Sequence, residues 1–421
     1  MAAQTRVQTA SAQTLTVNGD RLNQTLDDLA RIGAQDNNTV RRLAFSPEDI
    51  AGRDQVAAWM REAGMTVRID TAGNLIGTYS GTDPQAHALA TGSHIDTVPS
   101  GGRYDGALGV IAGLEIARSL QDHNLRLRHP FEVIAFTDEE HTMIGSKAMA
   151  GIAPTDPDRY APPGNEPIQD CLARIGGAWE RLAEARRDRS QIACFLELHV
   201  EQGGVLEAVD RDIGIVEGIV GQRRYRITIE GQANHAGTTP MPMRKDALTT
   251  AAQLILAVED MARHYPGEPV ATVGALKVWP NAINIVPGSV EMSLGMRDLS
   301  DTVIDHMLAQ FKRKIETVAV ATRTKIRIKP ELELQPILAS EPVQAFAVES
   351  CESLGLSYTH LPSRASHDAQ EMGRFTDMGM IFVPSRDGVS HSGQEYTSPE
   401  QCVQGCNVLL QTLLKLDQHY R

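Results

Sequence analysis

The chain has 421 residues, a length that favours two domains over a single core. Its 42% hydrophobic and 22% charged fractions are typical of a soluble globular protein, and no apolar run approaches the ~20 residues of a membrane span. Lys and Arg number 40 against 53 Asp and Glu, and the resulting net charge of −13 argues against nucleic acid or an anionic membrane as a partner, because both attract a basic surface.

The cellular compartment is suggested by two features. Residues 1–17 have no continuous apolar core, so we expect a mobile tail rather than a signal peptide. The cysteines are few, odd in number and lack a CxxC pair, which fits a reducing compartment and argues against a cysteine-based zinc knot. We therefore expect a cytoplasmic protein. The cysteines are Cys171, Cys194, Cys351, Cys402 and Cys406.

Short apolar segments alternate with a helical pattern in the first half of the chain. HALATGS (87–93), FEVIAFT (131–137) and CFLELHV (194–200) are predicted strands, and GALGVIAGLEIARSL (106–120) is predicted to be a helix from its apolar spacing. Strands separated by helices indicate a mainly parallel sheet covered on both faces. In such sheets, ligands bind beyond the carboxyl ends of the strands.

The pattern changes near Gly218, where alternating strands and two long helices follow in β-α-β-β-α-β order. The predicted segments are strands at 225–231, 271–279, 289–299 and 325–330, and helices at 246–265 and 301–321. We predict an inserted small α/β domain at 219–333 and a larger, discontinuous α/β domain at 1–218 and 334–421. The strand MGMIFVP (378–384) and a closing amphipathic helix belong to the larger domain.

Each of the three predicted strands of the first half ends in His, Asp or Glu residues. Together with Asp105 and His391, residues at these strand ends form a candidate set of metal ligands. Imidazole and carboxylate groups without thiolates suit Zn²⁺, Mn²⁺ or Co²⁺, and we expect two divalent ions, zinc first. Two ions held by one bridging carboxylate activate a water near neutral pH. Asp105, next to Gly106, is the natural bridge. The predicted ligands are His94, Asp105, Glu140, His199 and His391.

Two further carboxylates are assigned roles beside this set. Glu139 adjoins Glu140 on a segment expected to be extended, so the two side chains should point in opposite directions, leaving Glu139 to act as the general base. Asp96 is placed to hydrogen-bond the His94 imidazole and fix its tautomer. Taken singly, an HxD loop fits an ordinary turn, and a Glu pair fits a solvated face. Their joint occurrence at strand ends favours the metal centre.

Five segments together resemble the zinc-dependent amidohydrolase branch of the M20 metallopeptidase superfamily. The resemblance spans about residues 17–418. This branch includes N-carbamoyl-L-amino acid hydrolases, β-ureidopropionase, allantoate amidohydrolase and ureidoglycolate amidohydrolase. ELHVEQG is similar to the segment in which this branch supplies a histidine ligand where aminopeptidase-like relatives use a carboxylate. The segments are GSHIDTVPSGGRYDGALGV, FTDEEHTMIGSKAMAG, ELHVEQGGVLE, NHAGTTPMPMRKDAL and GVSHSGQE.

The resemblance implies a metallopeptidase-like catalytic domain and an inserted lid and dimerisation domain. It assigns Gln202 to the substrate ureido group, and Asn284 and Arg297 to the substrate carboxylate. It also implies a homodimer in which His235 enters the neighbouring active site and stabilises an oxyanion. His235 could instead be a turn residue, and Arg297 could pair with Asp298 at the surface. His367 fits a polar core histidine as well as a direct role.

The main departure from the family pattern lies in SRASHDAQEM (363–372). Many relatives carry a glycine directly before HDA, whereas this chain has Ser366 there and Arg364 two residues earlier. We expect Ser366 to contact the substrate and narrow the pocket, which disfavours bulky apolar substrates. The SRA variant is more similar to ureidoglycolate-type members.

The expected function is hydrolysis of a linear amide C–N bond in a ureido, or N-carbamoyl, acid. The products would be an amino acid, or a hydroxy or ureido acid, with ammonia and CO₂. An enzyme specific for allantoate or ureidoglycolate is an alternative, as is an aminoacylase or dipeptidase. A catalytically inactive binding or scaffold protein on the same fold is a further alternative, which a finding of no bound or bindable metal would favour.

Overall fold

A computed structural model describes residues 15–420 of the chain, which divide into two compact units. The second unit comprises Glu217–Leu338 and the short segment Pro362–Ser366, and the first unit comprises the remainder. The expected insertion at 219–333 lies within the second unit, and the returning segment was not anticipated. The tail expected at residues 1–17 falls mostly outside the described residues.

Helices and strands alternate through most of the described chain, and none of these helices is long and apolar enough to cross a membrane. The helices are α1 Gly19–Ala30, α2 Pro47–Glu62, α3 Ala107–Asp122, α4 Ile144–Met149, α5 Ile168–Arg174, α6 Val205–Ala208, α7 Ala247–His264, α8 Asp301–Thr322, α9 Glu341–Leu354, α10 Asp368–Met372 and α11 Pro399–His419. The strands are β1 Thr66–Ile69, β2 Leu75–Tyr79, β3 Ala88–His94, β4 Phe131–Phe136, β5 Ile192–Val200, β6 Ile213–Ile219, β7 Gly221–Glu230, β8 Asn234–His235, β9 Val270–Thr272, β10 Leu276–Trp279, β11 Ile285–Val286, β12 Ser289–Asp298, β13 Lys325–Leu334, β14 Ile337–Leu338, β15 Tyr358–Ser363 and β16 Asp377–Val383.

The sheet of the first unit has the strand order β1-β2-β4-β3-β5-β16-β6. Its central pairs, β4–β3, β3–β5 and β5–β16, are parallel, whereas β1–β2, β2–β4 and β16–β6 are antiparallel. The expected two-domain fold with a larger mixed α/β sheet is confirmed. The parallel part is confined to the four central strands, and of the antiparallel pairs only β1–β2 is joined by a short connection.

A register shift lies at the start of the β3–β5 pair. Ala88 pairs with Ile192 and the next residue, Leu89, pairs with Cys194, so Ala193 is bypassed. Beyond this point the pairing is regular as far as Thr91. Because side chains alternate along a strand, this register determines which β5 side chains lie on the same face of the sheet as a given β3 side chain.

Helix α3 packs closely against the two strands that lead to the predicted metal residues. Strands β3 and β5 are buried along their whole length. A Cβ built on Gly109 would lie 2.6 Å from the carbonyl oxygen of Leu198, so glycine permits this close approach. Since α3 begins two residues after Asp105, its packing also fixes Asp105 relative to His199.

The second unit contains a sheet of order β10-β12-β7-β13, with β9 also paired to β12. Helices α7 and α8 pack on one face, against the buried alternate residues of β12 and β7. The predicted β-α-β-β-α-β order is observed, but the expected strand 271–279 is two strands. They are separated around Gly274, where Ala275 instead donates its N–H to the Ser293 hydroxyl at 3.0 Å. Strands β8 and β11 form a separate antiparallel pair.

Candidate metal centre

Imidazoles from three separate segments converge on the carboxylate of Asp105. Its Oδ1 lies 3.2 Å from Nε2 of His199 and 3.7 Å from Nε2 of His94, while its Oδ2 lies 3.2 Å from Nε2 of His391. Glu140 Oε2 is 3.6 Å from the same nitrogen of His391. These side chains form two candidate metal-binding groups, His94–Asp105–His199 and Asp105–Glu140–His391, and Asp105 belongs to both. A third candidate group among the described residues, Glu197–His199–His367, shares His199 but does not include Asp105.

Main-chain carbonyl groups orient two of these imidazoles. Nδ1 of His94 lies 2.9 Å from the carbonyl oxygen of Asp96, and Nδ1 of His199 lies 2.8 Å from that of Val200. Because a carbonyl only accepts hydrogen bonds, each Nδ1 carries a proton. Nε2, which faces Asp105, is therefore the atom left to bind a metal. This arrangement fits a divalent ion held by imidazole and carboxylate groups.

The buried charged groups of the centre shift each other's pKa values. Burial disfavours the charged form of Asp105, but hydrogen bonding with His199 and His391 outweighs it and lowers the pKa of Asp105 well below its usual value. Burial also opposes the charged form of His94, yet the surrounding carboxylates, Glu139 foremost, raise the pKa of His94 well above its usual value. The centre thus contains several buried carboxylates, and a positive charge close to them would stabilise their ionised forms.

Asp96 acts differently from the sequence expectation. Its carboxylate is 3.8 Å from Nδ1 of His94, beyond hydrogen-bonding distance, because its own main-chain carbonyl occupies that position. The carboxylate instead accepts the backbone N–H groups of Glu139 at 3.4 Å and Glu140 at 3.2 Å. Asp96 therefore holds the turn that carries both glutamates.

Glu139 and Glu140 lie in a turn rather than on the extended segment that was expected. Asp138 has a φ of +56°, and its carbonyl accepts the N–H of Met143 at 2.6 Å, which reverses the chain after β4. The two side chains still face different imidazoles, since Glu139 Oε2 lies 3.6 Å from Nε2 of His94. Burial raises the pKa of Glu139 well above its usual value, with His94 opposing the shift.

Gln202 contacts the same carboxylate. Its Nε2 donates to Asp105 Oδ2 at 2.9 Å, and its backbone N–H donates to the Ser385 hydroxyl at 3.0 Å. Gln202 has a φ of +58°, a left-handed conformation that is uncommon for non-glycine residues. Within the described residues its buried Oε1 has no hydrogen-bond partner, so an acceptor is available beside Asp105.

The other predicted substrate contacts belong to the second unit, where they form two groups. His235 and Asn284 are neighbours: β8 pairs with β11, and the carbonyl of Asn284 accepts the N–H of Ala236 at 2.9 Å. Arg297 lies elsewhere, on β12, and Ser366 is an exposed residue of the returning segment.

Arg297 is held by neutral acceptors rather than by the expected alternative, Asp298. Its Nη1 donates to the carbonyl of Arg364 at 2.5 Å. With its amide oriented for hydrogen bonding, Gln222 accepts from Nε and Nη2 of Arg297 at 2.9 and 2.7 Å. Within residues 15–420 no carboxylate lies within ion-pairing distance of Arg297, so its positive charge is free to bind an anion.

Glu395 and Ser390 were not singled out from the sequence, and His367 was left open between a core role and a direct role. Glu395 and Ser390 hydrogen-bond the segment of Asp105. His367 is buried with its ring centroid 4.4 Å from that of His199, and its Nε2 has no partner among the described residues. Glu395 lies four residues after His391 in SHSGQE, and this short distance in sequence was the one sign that Glu395 belongs to the centre.

The fold and this centre together define a hydrolase of the metal-dependent kind. The family model "Peptidase family M20/M25/M40" matches residues 90–415, and the chain belongs to this family. The expected resemblance to its amidohydrolase branch is confirmed by the curated relatives.

Three similar proteins illustrate this branch. The chain is 41% identical to an N-carbamoyl-L-amino acid amidohydrolase of Geobacillus stearothermophilus, covering 96% of this chain and 99% of that one. It is 35% identical to an allantoate amidohydrolase of Bacillus subtilis, covering 92% and 95%. A solved amidase of the hydantoinase/carbamoylase family from Burkholderia multivorans is 35% identical, covers 96% and 98%, and superposes with a TM-score of 0.88.

Replacing Asp96 with alanine should test the role of the Glu139–Glu140 turn separately from the orientation of the His94 imidazole. The variant removes the acceptor of the Glu139 and Glu140 N–H groups but keeps the carbonyl that orients His94. We expect kcat/KM to fall by about 10–100-fold and the amides of residues 139 and 140 to exchange faster. Steady-state kinetics and hydrogen exchange measure the two effects.

Asp212→Ala is the matched control for this variant. The Asp212 carboxylate accepts the N–H and hydroxyl of Ser357 at 2.8 and 2.7 Å in the first unit, apart from the metal centre. This control should keep wild-type kcat/KM. An Asp96→Ala enzyme with wild-type kinetics would show that the turn does not depend on this carboxylate.

Proposed function

We propose that the protein is a metal-dependent amidohydrolase that cleaves the C–N bond of a ureido acid and releases ammonia and CO₂ with the remaining acid. The observation that carries the proposal is the position of Asp105, whose two carboxylate oxygens face two different groups of candidate ligands. The names of the relatives support the ureido substrate class.

The five converging residues would hold two divalent ions, zinc or alternatively manganese or cobalt. His94 and His199 would bind one ion, Glu140 and His391 the other, and Asp105 would bridge them. When bound, such a pair lowers the pKa of a water and polarises the substrate carbonyl. The ligands keep their orientation because carbonyl groups hold the far side of the His94 and His199 rings.

Glu139 is proposed as the general base and acid. It adjoins the ligand Glu140, but it is not a member of either candidate metal group among the described residues. Burial raises the pKa of Glu139, which suits a carboxylate that takes a proton from water and later gives it to the departing nitrogen. Asp96 would serve this step by holding the Glu139 N–H.

Gln202 and Arg297 are proposed as substrate contacts, as the family resemblance implies. The unpartnered Oε1 of Gln202 can accept from the NH₂ of the ureido group. Arg297, oriented by Gln222 and the carbonyl of Arg364, can bind the substrate carboxylate, with Asn284 as a further donor. Ser366 would narrow the pocket for the substrate side chain and favour small ureido acids.

His235 is proposed to complete the active site of a second subunit in a homodimer. Its Nδ1 accepts the N–H groups of Gly237 and Thr238 at 3.0 and 3.2 Å, so its exposed Nε2 carries a proton and can donate to an oxyanion. Large apolar side chains close in sequence to His235, or to the strand β11 that pairs with it, are exposed, which is typical of an interface. They are Met241, Met243, Trp279 and Ile283.

A cytoplasmic location completes the proposal. All five cysteines are free and buried, which fits a reducing compartment.

A substrate panel on metal-free and metal-restored protein tests the function itself. We expect chelation to abolish hydrolysis of N-carbamoyl-L-amino acids, N-carbamoyl-β-alanine, allantoate or ureidoglycolate, and Zn²⁺, Mn²⁺ or Co²⁺ to restore it. Ammonia release measures the rate, and N-acyl amino acids and dipeptides serve as controls. Preference for the acyl compounds, or full activity without metal, would contradict the proposal.

Glu139→Gln should leave the metal ligands in place and remove the group that moves the proton. We expect metal content to stay at the wild-type level and kcat to fall by about 10²–10⁴-fold, the usual contribution of general acid–base catalysis. Metal analysis and steady-state kinetics measure both quantities. Turnover close to wild type would exclude Glu139 from this role.

Mixed dimers test whether His235 acts across subunits. A heterodimer of one His235→Ala subunit and one Glu139→Gln subunit contains one site with both groups intact, so it should regain activity that neither homodimer has. Two different affinity tags allow the heterodimer to be isolated before assay. Heterodimers as inactive as both parents would refute a shared site.

A further inference from the structure

Glu395 is a buried carboxylate that belongs to none of the candidate metal groups among the described residues, yet it bonds to the segments of two candidate ligands. Its side chain is only 6% exposed. Oε1 accepts the backbone N–H groups of Tyr104 at 2.9 Å and Asp105 at 3.1 Å. Oε2 accepts the hydroxyl of Ser390 at 3.1 Å, and Ser390 immediately precedes His391.

Ser390 links this carboxylate to the ligand itself. Its Oγ lies 3.1 Å from Asp105 Oδ2, the oxygen that faces Nε2 of His391. Glu395 thus holds Asp105 through the backbone, and its carboxylate shares the single proton of the Ser390 hydroxyl with the carboxylate of Asp105. Charge-assisted hydrogen bonds of this kind are about twice as strong as neutral ones.

The two segments joined by Glu395 have little regular structure of their own. Asp105 lies between the end of β3 and the start of α3, and His391 lies between β16 and α11 with a φ of +54°. His94 and His199, in contrast, lie within the last residues of β3 and β5, where the sheet fixes the backbone. The second group of ligands therefore depends on side-chain bonds for its geometry.

The chain leaves room for this carboxylate at Gly102. A Cβ on Gly102 would lie 2.2 Å from Oε1 of Glu395, so a larger residue would displace the carboxylate. This close approach indicates that the segment before Asp105 is shaped around Glu395.

We propose that Glu395 is a positioning residue for the Asp105–Glu140–His391 ion, and that its loss weakens this ion more than the ion of His94 and His199, because His391 as well as the shared Asp105 lies on the segments that it joins. The inference rests on the proposed two-ion centre. Glu395 does not touch an ion or substrate. It acts by holding the backbone of Asp105 and the Ser390 hydroxyl so that Asp105 Oδ2 and His391 Nε2 stay 3.2 Å apart.

The test is titration of Zn²⁺ into the metal-free Glu395→Gln protein with a competing indicator. Glutamine keeps one acceptor oxygen but loses the charge and turns an NH₂ towards Ser390 or the backbone amides. We expect one of the two Zn²⁺ affinities to fall by about 10–100-fold and the other to fall clearly less. Hydrogen exchange at residues 104 and 105 of the metal-free variant should be faster.

Ser390→Ala keeps the buried carboxylate and is the second variant, in case Glu395→Gln does not fold. It should weaken the same ion by a smaller factor. Asp417→Asn is the matched control, because the Asp417 carboxylate also accepts two consecutive N–H groups, those of Arg128 and His129 at 3.0 Å each, before the start of β4. It should leave both Zn²⁺ affinities unchanged.

Equal loss of both ions, or loss of neither, would overturn the role of Glu395. If the wild-type protein bound no Zn²⁺, the proposed function would fail instead. The exchange rates of residues 104 and 105 in metal-free protein would then still decide whether Glu395 holds this segment.

Discussion

The pairing of Asp105 with three imidazoles is the interaction on which the rest of the centre depends. It brings together a loop after β3, the end of β5 and a loop before α11, so each of these segments must be held independently. Strands β3 and β5 are held by parallel pairing and by the close contact of α3 at Gly109. The surrounding carboxylates repel one another, and burial raises the pKa of Asp138 and Glu139. A cluster of ionised carboxylates is costly in free energy to bury without a cation near it.

The candidate metal ligands, Glu139 and Gln202 are encoded in the first unit, whereas His235 and the residues proposed for the substrate carboxylate are encoded in the second. The first unit supplies the imidazoles and carboxylates at strand ends. The second unit supplies His235, Asn284 and Arg297, together with the short returning segment that carries Ser366. This segment also provides the carbonyl of Arg364 that holds Arg297. Recognition can therefore vary through a few residues of the second unit while the chemistry of the first remains constant.

Much of this arrangement could be predicted from sequence because it follows from periodicity. The apolar runs ending at His94 and His199, the helices α7 and α8, and the alternation along β12 all have clear patterns. The turn at Asp138 could not be predicted, because a left-handed aspartate leaves no periodic signal. The contact of Asp96 also depended on loop geometry, which decided that its carbonyl, and not its carboxylate, faces His94. Glu395 was missed because its partners are backbone amides, which every residue has.

The register shift at Ala193 has a consequence for how β5 can change during evolution. Glu197 and His199 lie beyond this point on one face of the strand, and one added residue between them and the shift would turn the imidazole towards the opposite face of the sheet. An extra residue at Ala193 itself could be absorbed as a larger bulge. Natural length variation in β5 should therefore be confined to its first two residues, and engineered insertions there should be tolerated best.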